Sequence, residues 1–148
     1  MEPQIEAVLV SLDTLQRDLH TGLAGQSVET LNWRPYPEGN TIAGLLAHMF
    51  ESSNFLLHLG LGETLPRERD IQFATTTPDA ATLLARVDSS IANLRQLAAS
   101  YTAEHLATHR DFRGNDFIGA WFPLHICEHM LEHWGQIQTI RDLALSRS

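Results

Sequence analysis

The chain has 148 residues, 43% hydrophobic and 19% charged, with a net charge of −8. This is enough for one domain with a real core, and too acidic to dock on nucleic acid or anionic lipid. All ten basic residues are arginine, which excludes a Schiff-base lysine, a lysine general base and a P-loop lysine.

The single cysteine, Cys127, cannot form a disulfide within the chain, which fits a reducing compartment. The opening Met-Glu-Pro-Gln lacks the basic-then-apolar pattern of a signal peptide. No apolar run reaches the ~18 residues of a membrane span. A cytoplasmic protein and one domain over 1–148 are expected.

Residues 3–22 predict a helix, with Ile5, Val8, Leu9, Leu12, Leu15 and Leu19 at the spacing of one apolar face. Gly22 and Gly25 end it. Residues 24–40 hold Pro35, Pro37 and Gly39 and read as an ordered connection. Asn40 or Thr41 caps a second helix over about 41–60. Its apolar positions run from Ile42 to Leu59 and cover more than half of the wheel, where one core face needs only ~100°. Burial on two sides is expected, by the core and by a second copy in a homodimer.

Residues 60–78 form a long connection, of the kind that crosses a bundle or lines a site. Its Arg67–Asp70 charge cluster reads as solvated. Asp79 caps a third helix over about 79–100, with Leu83, Leu84, Val87, Ile91, Leu94 and Leu97 as its face. A short helical turn is expected at 103–108 and irregular chain at 110–116. The fourth helix is placed at 118–145, with a start nearer 122 allowed by Pro123, which suits a first turn. Four helices, no strand signal and a long crossover predict an all-α four-helix bundle.

The fourth helix carries His125, His129 and His133 at intervals of four. Four residues turn ~400°, so His129 and His133 lie ~40° and one turn apart and can aim at one point. Ile126, Met130, Ile137 and Ile140 mark the apolar stripe of this helix, and both histidines fall inside it. A purely structural reading needs two unrelated polar accommodations in one patch, each costly if imperfect. A metal site needs one. Two imidazoles from one helix and one from a facing helix leave coordination positions open, as catalytic sites do. His48, on the apolar flank of the second helix, is the preferred third ligand. His125 drifts to the stripe's edge.

His58 reads as solvated, and His20, His105 and His109 as surface. Cys127 points ~200° from His129 and reads as a small packed residue. Glu128 and Glu132 flank the ligand face and read as solvated, and Glu51 points to the polar side. Gln136, one turn past His133, is a candidate to orient it. Arg34, Arg110 and Arg113, in connections, are candidates to recognise an acidic ligand.

The segments Leu31-Asn-Trp33-Arg34-Pro35, Asn40-Thr41-Ile42-Ala-Gly-Leu45-Leu46-Ala-His48 and His129-x-x-x-His133-x-Gly135-Gln136-Ile137 resemble the DinB/YfiT-like superfamily of metal-binding four-helix bundles. The resemblance runs over essentially the whole chain. It implies a divalent metal ion on His48, His129 and His133, with Zn or Ni foremost, and a homodimer. It implies a small-molecule substrate. Some relatives are S-transferases or isomerases that use a low-molecular-weight thiol such as bacillithiol or mycothiol, and others are hydrolases. Two departures stand out: Asn40-Thr41 where relatives often carry Trp-Ser, and Trp134 where many carry Arg. The expected function is a metal-dependent, thiol-dependent S-transferase or a hydrolase. The rival is a non-catalytic, stress-related metal-binding dimer.

Overall fold

The computed structural model describes residues 1–147, so the last residue of the expected domain, Ser148, lies outside them. Four long helices form the bundle: α1 (Pro3–Leu23), α3 (Ile42–Gly60), α5 (Ala80–Ala99) and α7 (Trp121–Ser146). Three short helices sit in the connections: α2 (Val28–Asn32), α4 (Arg69–Phe73) and α6 (Ala103–Ala107). A hairpin of β1 (His109–Phe112) and β2 (Asn115–Ile118) precedes α7. No described helix is long and apolar enough to cross a membrane.

Most local signals act as expected, but Gly22 lies inside α1 and does not end it. Pro3 opens α1, whose buried face is Ile5, Val8, Leu12, Leu15, Leu19 and Leu23. Thr41 caps α3 by accepting the Gly44 amide, and Asp79 caps α5 by accepting that of Thr82. The start of α7 differs from expectation. Residues 115–118, expected as irregular chain and helix start, pair with 109–112 in antiparallel register. Arg113 and Gly114 form the two-residue turn, with φ of 55° and 76°. Two successive positive φ values make a hairpin turn whose twist matches its strands. Arg at the first turn position hid it, because Asn or Asp is the usual signal there.

α3 packs along α7 and α5, and α1 packs along α5 and α7. The diagonal pairs are therefore α1/α3 and α5/α7. Asn54 meets Asn93, and the Leu57 carbonyl near the end of α3 accepts from Tyr101 just past the end of α5, so α3 and α5 run parallel. Gly60 lies against Phe122 and His48 against His129, so α3 and α7 run antiparallel. Parallel neighbours cannot be joined by a tight turn. Residues 61–79 must return along the ~28 Å of α3, and α4 lies on that path.

The wide apolar arc of α3 has an explanation inside the chain. Its helix touches α7, α5, α4 and α2. Ile42, Leu45, Leu46, Met49 and Leu57 are all at most 2% exposed. The arc that suggested a second copy is thus taken up by four neighbours within one chain. Trp134 is likewise accounted for: a Cβ on Gly22 would stand 2.5 Å from its ring, so the indole fills the space between α1 and α7 that the glycine leaves.

Candidate metal centre

The antiparallel contact of α3 and α7 brings His48, His129 and His133 together, with one ligating nitrogen of each within 4.8 Å of the others. His48 is buried at 4% exposure. His129 and His133 are half-buried, so the cluster opens on one side. The Nε2 atoms of His129 and His133 are 2.9 Å apart. The His48 ring stands edge-on to both, with centroids 5.3 and 5.1 Å away.

The outer nitrogens decide which lone pairs face inward. His48 Nδ1 donates to Gln72 Oε1 at 3.1 Å, and His133 Nδ1 donates to Gln136 Oε1 at 2.7 Å. An amide oxygen only accepts, so it fixes the proton on Nδ1 and leaves Nε2 bare. Two bare nitrogens facing each other repel unless a proton or a cation lies between them. His129 Nδ1 is buried without a hydrogen-bond partner. A proton on either nitrogen of this ring therefore satisfies only part of the cluster. Three imidazoles with converging lone pairs fit a divalent ion: a tetrahedral zinc with Zn–N of ~2.0–2.1 Å sets two ligands roughly 3.3 Å apart.

The electrostatics favour neutral rings. Burial pushes His48 down to about 4, aided by His133, Arg69 and Arg67 and opposed by the bond to Gln72. Burial pushes His129 down to about 3, aided by His133 and His48. Neutral imidazole is the form that binds metal.

Several contributors come from the crossover and were not read from the sequence. Gln72 holds His48, and Phe73 stacks on its ring at 4.4 Å. A Cβ on Gly44 would stand 2.7 Å from the Phe73 carbonyl, so this glycine lets α4 lie close over α3. Ser52 Oγ lies 3.4 Å from His48 Nδ1 and accepts from Arg67 at 2.6 Å. Arg67, expected as solvated, is therefore anchored beside the site. The length of the crossover was the one available signal. A groove of about 1040 Å³ runs between α3, the crossover and α5; Gln72 lines it but the three histidines do not.

The other expected residues fall elsewhere. His125 stacks on Trp121 at 4.2 Å and is not part of the cluster. Its Nδ1 lies 3.4 Å from the exposed Glu128. His20 pairs with Asp88, and His109 pairs with Asp116 across the hairpin. His58 is only half-exposed and pairs with Glu63, a correction to its solvated reading. His105, expected as a plain surface residue, closes a capping box with Thr102. Cys127 is half-buried against the core, and burial raises its thiol pKa. Glu51 and Glu132 are exposed. Arg34 donates to the Gly39 carbonyl and orders its own loop, while Arg113 lies over the Phe112 ring.

The fold and sequence have known counterparts. The sequence pattern of the DinB superfamily matches residues 11–137. A conserved protein from Enterococcus faecalis superposes with a TM-score of 0.80 at 15% identity, covering 99% of each chain. A DinB-like protein from Bacillus cereus gives 0.73 at 18% identity, over 94% of this chain and 91% of that one. YfiT from Bacillus subtilis, described as a probable metal-dependent hydrolase with an unusual four-helix bundle topology, gives 0.60 at 14% identity, over 93% and 89%. No curated protein matches the chain. With the family pattern running from within α1 to within α7, the chain belongs to the DinB superfamily.

Proposed function

We propose that this is a divalent-metal-dependent enzyme whose ion, Zn²⁺ or Ni²⁺, is held by His48, His129 and His133, and that it transfers a small thiol to an electrophile. The observation that carries the reading is the pinning of His48 and His133 through their Nδ1 atoms by Gln72 and Gln136, which leaves bare nitrogens converging on one point. A bound ion supplies Lewis acidity, lowering the pKa of a thiol or water or polarising a carbonyl.

The protein groups around the histidines favour thiol chemistry over hydrolysis. They are two amides, a hydroxyl and an arginine: Gln72, Gln136, Ser52 and Arg67. None of these is a general base. Metal-assisted hydrolysis gains from a general acid or base that carries a proton to the leaving group, whereas a thiol with a pKa of about 8.5 is readily ionised by the ion alone. In the transfer, sulfur forms a bond to the electrophilic carbon, the leaving group departs with its electron pair, and the thiol proton passes to solvent. Hydrolysis is the second reading, favoured by the likeness to YfiT. A non-catalytic, stress-related metal-binding homodimer is the third.

Metal analysis of protein purified without chelator tests the site, with His129→Ala alongside. About one ion per chain is expected in the wild type and little in the variant. Absence of metal from both overturns the reading. Conjugation assays with several small thiols and an electrophile then separate the first reading from the others. Metal-dependent ester cleavage without thiol turnover moves the assignment to hydrolysis. Metal binding with neither activity moves it to the binding protein.

A further inference from the structure

We propose that Arg67 is the anion-holding residue of this site: its guanidinium takes the carboxylate or phosphate of a small molecule whose other end meets the three histidines. The inference rests on the metal-centre reading above and adds the charge of the ligand.

The chain carries a net charge of −8, yet among the described residues Arg67 is in no ion pair with a carboxylate. Among the described residues the arginines in ion pairs are Arg95, with Asp13, and Arg141, with Asp142. Arg67 instead has Arg69 and Arg113 for charged neighbours, and burial and these two cations lower its pKa. An unpaired cation held near other cations is a costly arrangement. An anion arriving from outside removes that cost.

The guanidinium is also held in place. It lies over the Phe55 ring at 4.7 Å and donates one N–H to Ser52. Its Nε is buried without an acceptor. A guanidinium has five N–H donors in a planar fork; with one given to Ser52 and Nε buried, the other Nη donors remain for a ligand. That fork matches carboxylate and phosphate geometry.

Its position ties it to the histidines. Ser52 Oγ, which Arg67 grips, is the atom 3.4 Å from His48 Nδ1. From Phe55 a series of half-buried rings leads toward the same cluster. Phe112 is 6.4 Å from Phe55, Trp121 is 6.2 Å from Phe112, and His125 stacks on Trp121 and stands 6.3 Å from His129. The guanidinium and the imidazoles thus stand at the two ends of a series of aromatic rings, with Arg113 over Phe112 between them. That arrangement suits a ligand with an anionic group, an apolar body and a metal-seeking head.

Calorimetric titration of the Zn²⁺-loaded protein tests this, with 3-mercaptopropionate and the neutral 3-mercaptopropanol as probes. The wild type is expected to hold the carboxylate about 10- to 100-fold tighter, the range of a charge-assisted hydrogen bond. Arg67→Gln brings the two to parity. Arg67→Lys retains part of the preference, because it keeps charge but not the fork. It also carries the comparison should the Gln variant not fold. Equal affinities in the wild type, or a preference that survives Arg67→Gln, overturn the proposal. Competition by inorganic phosphate against acetate identifies the anion. A wild type that takes up no Zn²⁺ defeats the metal reading instead. Arg67 is then judged on the metal-free protein with phosphate and acetate. A saturable heat lost in Arg67→Gln upholds it, and no Arg67-dependent heat overturns it.

Discussion

The two walls of the histidine site are built by different means. On the α7 side, His129, His133 and Gln136 lie on one helix, and the helical repeat alone sets their spacing. On the α3 side His48 and Ser52 have that security. Gln72 and Phe73, which touch His48, and Arg67, which bonds Ser52, come from the crossover, which has one short helix to stiffen it. The first wall is placed by local geometry, and the second by a segment that must travel the length of the bundle before it meets its histidine. A site of this kind has its ligands set by helices and its tuning set by a loop.

Breaking the ligand wall should have the largest effect. His133→Ala is expected to reduce Zn²⁺ affinity by more than the roughly 10–100-fold that loss of an outer hydrogen-bond partner costs. Gln72→Leu and Gln136→Leu then compare the walls directly, each expected within that range. Competition with a chromophoric chelator measures all three. If Gln72→Leu leaves affinity unchanged while Gln136→Leu lowers it, the crossover is packing and not part of the site.

Gly44→Ala is expected to act more weakly and by displacement alone. Its new Cβ meets the Phe73 carbonyl at 2.7 Å, so the crossover must shift, at about 1–3 kcal/mol as for other overpacked positions. Denaturant unfolding gives this cost. A loss of Zn²⁺ affinity larger than a few-fold would show that the crossover transmits its position to His48. Unchanged stability would mean that α4 yields freely.

The effect of pH on the metal-free protein isolates the rings from the ion. His48 is held at about 4 and His129 at about 3, against ~6.5 in an unfolded chain. Above pH 6.5 neither state binds the extra proton, and these residues cost nothing. As pH falls from 6.5 toward 4 the unfolded chain takes up protons that the native rings refuse, so stability declines. The His129 share continues to fall until about pH 3. Urea midpoints from pH 7 to 4 should drop less steeply in His129→Asn than in the wild type. Parallel curves would show that His129 is not held neutral by the fold.

These differences explain what the sequence could reveal. The apolar spacings located the four long helices, because burial of one stripe leaves a periodic trace. The same periodicity exposed His129 and His133 as polar residues in an apolar stripe. The crossover leaves no such trace. Gln72 looks like an ordinary polar residue, as does Ser52 on α3, and Arg67 sits among Glu68, Arg69 and Asp70 like any solvated charge. Their roles come from where the chain must pass once α3 and α5 are parallel, which is a property of topology. The hairpin was missed for a different reason: its turn uses Arg113 at φ 55°, a conformation that arginine rarely signals.

His48 and His129 stand 81 positions apart in a chain whose single cysteine can form no internal bridge. An ion held between them would close that span as a cross-link. In the chain-entropy account, a covalent closure of this length removes about 4.5 kcal/mol of freedom from the unfolded state. The same three histidines would then act as a fastener for the tertiary structure, and chelation would be felt first at the seam between α3 and α7.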